Sequence, residues 1–114
     1  MFDAVFDSYA AVHVDNAFSH EQAETRKFNI QTLEAANELT FRDLDQDYAA
    51  PDLRTQHLDG IKANTAQIGR TLGWDKNTLE LETAKAENAF HLTVAQNYAN
   101  AGDTKGAMEY LEAN

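Results

Sequence analysis

NAFHLTVAQNYANAGDTKGAMEYLEAN, residues 88–114, decides how this chain is read. Helix-forming residues lie on both sides of the pair Gly102-Asp103. Glycine reaches the left-handed backbone conformation that ends a helix without the cost a β-carbon imposes. An aspartate directly after it can accept hydrogen bonds from the first amides of a following helix. The stretch therefore predicts a helical hairpin. One arm runs to about Ala101 and the second is capped by Asp103.

The same punctuation recurs upstream. Asn77 with Glu80 has the spacing of a capping box and starts the first arm of the hairpin. Gly73 is placed to end the helix before it, and Pro51 fits the first turn of that helix, where a missing N–H costs nothing. Leu58, Ile61, Thr65, Ile68 and Leu72 make its buried stripe. Further back, Ile30, Leu33, Asn37, Phe41, Leu44 and Tyr48 recur near heptad spacing and predict one long helix to about Tyr48. The run TFRD offers a competing break at Thr40. Ser19 with Gln22 is another capping box, which starts that helix near His20. A first helix spans about Phe2 to Asp15, with Phe2, Val5, Phe6, Tyr9 and Val12 on one face.

With one Pro, five Gly and no run of β-branched residues, the 114 residues predict an all-α domain spanning 1–114. Four to five antiparallel helices form a bundle, with the hairpin at about residues 78–114. A chain of this size buries enough surface to fold without disulfides, and it has no Cys, which suits the cytoplasm. The first basic residue is Arg26, so no charged n-region precedes an apolar stretch, and no apolar run reaches membrane-spanning length. Nineteen acidic residues against nine basic ones, a net charge of −10, argue against direct binding to nucleic acid or anionic lipid.

The closing stretch resembles a tetratricopeptide (TPR) repeat. With Asn88 as the first position, Val94 falls where the family has Leu, Ala95 on the small position and Tyr98 on the aromatic of the first helix. Gly102-Asp103 matches the turn between helices, Ala107 the small residue where the two helices touch, and Leu111 the large residue after it. His91 stands where the family often has Trp, and Asn114 where it has Ala. The likeness covers under a quarter of the chain. It implies that Ala95 and Ala107 let the helices approach closely while Tyr98 and Leu111 fill the wedge beside them. It also implies a peptide- or helix-binding groove formed by Ala89, Leu92, Gln96, Ala99 and Asn100. A solenoid repeat needs stacking neighbours, so Met108, Tyr110 and Leu111 are expected to need cover, supplied by the N-terminal helices or by a second copy in a homodimer.

Chemistry-bearing patterns are sparse. His20 with Glu24 and Glu87 with His91 are spaced to share a helix face, yet neither forms the Glu-x-x-His motif of di-iron bundles. No nucleophile elbow or P-loop is present, and GDTKG is too short for a Walker A loop. No catalytic residue, metal site or cofactor is expected. The acidic run around Asp43, Asp45, Asp47 and Asp52 lacks the Gly and terminal Glu of a calcium loop. The expectation is a non-enzymatic module that binds another protein or peptide, a small cytoplasmic adaptor or regulator. The alternative is an acidic inhibitor, immunity protein or DNA mimic that blocks a basic site on its target, since small acidic inhibitors from phage are similar in size and charge. A third reading is a ligand-sensing domain with Phe18, Phe28 and Trp74 around a pocket.

Overall fold

The computed structural model describes the backbone from Phe2 to Asn114 and the side chains from Glu21 onward. Four helices follow in order: α1 (Phe2–Asp47), α2 (Pro51–Leu72), α3 (Lys76–Asn100) and α4 (Thr104–Ala113). The described residues contain no strand. By packing, the chain divides into residues 1–31 and residues 32–114. The first unit is a stretch of α1, along which residues 21–29 are all exposed. The apolar stripe expected from Phe2 to Val12, together with Phe18 and His20, lies outside the described side chains.

The sequence offers two breaks within α1, and neither forms. The break near Ser19 is absent, because residues 2–47 form one helix and Ser19 lies within it. A capping box is a local preference of about 1 kcal/mol, and the flanking residues are good helix formers. The competing break at Thr40 is absent too: Thr40 Oγ1 donates 3.0 Å back to the Ala36 carbonyl, as a mid-helix threonine does. Within the second unit the heptad stripe faces inward from Leu33, and Leu33, Asn37, Phe41, Leu44 and Tyr48 are all at least half-buried; Ile30, in the first unit, is half-buried as well. Asn37 makes a polar rung inside it, accepting 3.0 Å from Asn64 Nδ2 of α2.

The second unit is a helical bundle whose core joins Leu44, Ile61, Phe90, Val94, Ala95, Ala107 and Tyr110. Pro51 opens α2, and Gly73 closes it at φ 74°. The backbone amide of Trp74 bonds the Gly69 carbonyl at 2.9 Å. That return folds the indole against Gly69, where a β-carbon would sit 2.7 Å from the ring, so Gly69 has to be glycine. The buried stripe of α2 stops at Ile68; Leu72, expected inside, is 54% exposed because the chain reverses one residue later. The cap of α3 is Asp75, whose carboxylate accepts 2.7 Å from the Thr78 amide, two residues before the expected Asn77. This hydrogen bond holds the Asp75 carboxyl below the usual carboxylate range.

The closing hairpin forms as its turn residues dictate. Gly102 takes φ 86°, Asp103 N–H reaches the Tyr98 carbonyl at 2.9 Å, and Asp103 Oδ1 accepts 2.8 Å from Gly106 N–H. Ala95 and Ala107 are both buried in one cluster, which lets α3 and α4 approach closely. One side chain differs from expectation. Leu111 does not fill the wedge; it is 44% exposed, and Tyr110 occupies the inside at 9%.

Candidate functional site

The α3–α4 hairpin has two flanks of opposite character. Its seam is set by Ala95, His91 and Tyr98 of α3 against Ala107 and Tyr110 of α4, with a 2.7 Å hydrogen bond between His91 Nδ1 and the Tyr110 hydroxyl. Helices with 3.6 residues per turn then assign every other position to one flank or the other.

On one flank Tyr98, Gly106, Glu109, Tyr110 and Ala113 line a cleft of ≈ 400 Å³, closed by Arg54 of α2. Arg54 Nη1 donates 3.0 Å to the Tyr48 carbonyl and 3.0 Å to the Tyr98 hydroxyl. The guanidinium carbon lies 4.9 Å above the centre of the Tyr110 ring, a cation–π placement. Tyr48 and Tyr98 meet edge-on at 4.8 Å. Arg54 therefore ties the end of α1, the start of α2, α3 and α4 together. Burial pushes the Tyr110 hydroxyl above its ordinary pKa, while the Arg54 charge pulls the other way. Sequence reasoning missed Arg54. The signal was its position: a cation in the first turn of α2 faces the positive end of the helix dipole, which is unfavourable unless something else holds it.

On the other flank large apolar side chains are exposed, with no described residue covering them. Leu92 is 62% exposed, Met108 59% and Leu111 44%. Because Tyr98 and Gly106 share the cleft side, Leu92 and Ala99 of α3 fall on the same side as Met108 and Leu111 of α4. Ala89, Gln96 and Asn100 continue that surface around α3, and all are exposed. The structure thus joins the expected groove residues to the expected self-association residues Met108 and Leu111. Tyr110 is removed from that set, since its ring is inside and its hydroxyl is bonded to His91.

Of the two helix-face pairs with ligating side chains, His20 with Glu24 involves a side chain outside the described ones, and Glu87 and His91 each take another partner. Glu87 pairs with Lys62 at 3.1 Å, and His91 with Tyr110. His57 Nε2 donates to Asp47 Oδ2 at 2.9 Å, which takes Asp47 out of the acidic run, while Asp43, Asp45 and Asp52 are exposed. No group of three or more potential metal ligands converges among the described residues. Of the aromatics proposed around a ligand, Phe28 is 68% exposed and Trp74 packs on Gly69. Among the described residues no helix is long and apolar enough to cross a membrane. No protein-family model matches the chain, and neither a curated protein nor a solved structure matches it significantly.

Proposed function

We propose that this chain is a non-enzymatic protein-interaction module, a small cytoplasmic adaptor or regulator, and that it binds another protein or peptide on the uncovered flank of the α3–α4 hairpin. One observation carries the reading: Leu92, Met108 and Leu111, three large apolar side chains, stand exposed on the same side of two packed helices, with none of the described residues over them. Apolar side chains grouped this way mark interaction surfaces more often than singly scattered ones do. The rim supports it. On the α3 side Asn88, Gln96, Ala99 and Asn100 carry no charge, so the ions nearest the patch are confined to Lys105 and Glu112 of α4. The likeness of residues 88–114 to a TPR repeat points the same way, because such a repeat offers its open side to a neighbour. A second copy of the chain is one such neighbour.

Charge grafted onto this flank tests the reading. L92E and Q96E, singly or together, are expected to abolish partner capture while the helical circular dichroism stays unchanged. Capture that persists in the double variant removes the flank from consideration. Sedimentation at high micromolar concentration covers the homodimer: the wild type sediments above 12.7 kDa and L92E at it.

A second reading has its own support. Asp43 and Asp45 are exposed and make no ion pair with any described residue, which suits an acidic protein that occupies a basic site on its target. Such binding weakens steeply with salt. Binding through the apolar flank changes little, so a salt titration of the captured complex separates the two.

A further inference from the structure

We propose that the cleft closed by Arg54 binds a small zwitterionic α-amino acid, its carboxylate on Arg54 and its ammonium group toward Glu109. The cleft lies on the flank opposite the proposed protein-binding surface, so the two sites are independent.

The argument begins with how Arg54 is used. Its guanidinium carries five N–H donors. Both hydrogens of Nη1 are spent, one on the Tyr48 carbonyl and one on the Tyr98 hydroxyl. Nε and Nη2 make no hydrogen bond to any described residue, and no described carboxylate pairs with the group. That is unusual for a half-buried arginine in a chain with 19 acidic residues. The edge formed by Nε and Nη2 is the planar fork that matches a carboxylate with two parallel hydrogen bonds. The Tyr110 ring beneath and the Tyr98 hydroxyl beside it fix the plane of the guanidinium, so little side-chain entropy remains to be lost when a ligand arrives.

The remaining lining selects among anions. Glu109 and Asp103 both border the cleft. Asp103 is committed to capping α4 through Gly106 N–H. Glu109 has only Lys105 at 3.9 Å, an exposed contact of the kind that contributes little. Two carboxylates around one guanidinium repel a phosphate dianion. They favour a ligand whose own positive charge accompanies its carboxylate. Ala113 and the face of Tyr110 supply apolar wall for a side chain, and ≈ 400 Å³ accommodates one amino acid.

The test is a titration of the full-length, isotopically labelled protein by NMR with L-leucine and L-phenylalanine. Leucinamide, 4-methylpentanoate and inorganic phosphate are run alongside. Both amino acids are expected to shift the Arg54 Nε–H and the amides of Gly106, Glu109 and Ala113 with millimolar affinity. Leucinamide, which lacks the carboxylate, and 4-methylpentanoate, which lacks the amine, bind roughly tenfold more weakly. R54K weakens leucine by a similar factor, since a lysine cannot form the fork. Because R54K also loosens the bundle, E109Q is the second variant. Glu109 is exposed, and its loss narrows the gap in affinity between leucine and 4-methylpentanoate several-fold. The proposal is overturned if neither amino acid moves these resonances at about 20 mM, a concentration well above a millimolar dissociation constant. It is equally overturned if phosphate moves them more than leucine does, or if E109Q leaves the preference for leucine intact.

Discussion

Tyr110 and Leu111 are neighbours in sequence, yet they face opposite worlds. Tyr110 closes one flank of the hairpin, with its ring under Arg54 and its hydroxyl on His91. Leu111 stands on the other flank, with Met108 and Leu92, in solvent. The polar residue is inside and the apolar one outside, the reverse of what hydropathy alone assigns. The difference teaches that a buried polar group is stable when every donor and acceptor is met. Among the described residues no buried side-chain nitrogen or oxygen lacks a partner. The leucine stays outside because α4 has one inward edge, and Ala107 and Tyr110 already occupy it.

This contrast is sharpest when the two neighbours are truncated in turn. Y110A removes a core ring and leaves a cavity, and is expected to cost about 3 kcal/mol or more in urea denaturation. A loss below about 1 kcal/mol means that α4 is not held by this residue.

The hairpin itself depends on its turn. G102A forces a β-carbon into the φ 86° conformation and is expected to lower stability by about 1–2 kcal/mol, read by thermal melting. An unchanged melting temperature means the turn is not closed as described.

Smaller still is the hydroxyl of Tyr110. Y110F is expected to cost about 1 kcal/mol at neutral pH. It also changes the alkaline limb of stability. The folded pKa of Tyr110 lies above the ordinary 10.0 because burial disfavours the phenolate. The unfolded chain therefore ionises first, and this residue's contribution is complete below pH 10 and lost as the pH climbs through the folded value. Y110F is expected to lack that component, so its alkaline unfolding is shallower than that of the wild type. Parallel curves break the assignment.

The least effect is expected at L111A, within about 0.5 kcal/mol of wild type, as for a surface position. Loss of partner capture without loss of stability marks Leu111 as a binding residue. A large destabilisation places it back in the core and erases the distinction between the flanks.

Much of the architecture was readable from residues whose preferences are local. Gly73 and Gly102 adopt the left-handed conformation, Pro51 opens α2 and Asp103 caps α4, each for reasons confined to a few bonds. The stripe from Ile30 to Tyr48 was readable because seven-residue spacing admits one inward face. Where two candidates satisfied the same local rule, reading failed. Asp75 and Asn77 both can cap α3, and the return of the chain through Trp74 onto Gly69 selected the first. Ser19 with Gln22 has a cap's spacing, but nothing nearby breaks the helix there.

The candidate surface was half-legible for a related reason. Ala89, Leu92, Gln96, Ala99 and Asn100 could be placed together from their spacing on one helix. That Met108 and Leu111 continue the same flank required the pairing of α3 with α4. Arg54 was invisible, because its partners are Tyr48, Tyr98 and Tyr110, up to 56 positions away along the chain.

The amino-acid sequence by itself determined that this chain is helical, where its hairpin turns, and which small residues let the last two helices meet. These follow from backbone conformation and helical period, which each residue imposes on its neighbours. Only the tertiary structure decided which of two adjacent side chains enters the core and which arginine joins four helices. In α4 a step of three residues and a step of four lie almost equally close to one face. The rotation of α4 against α3 chose between them, and with it which flank is sealed and which is left open.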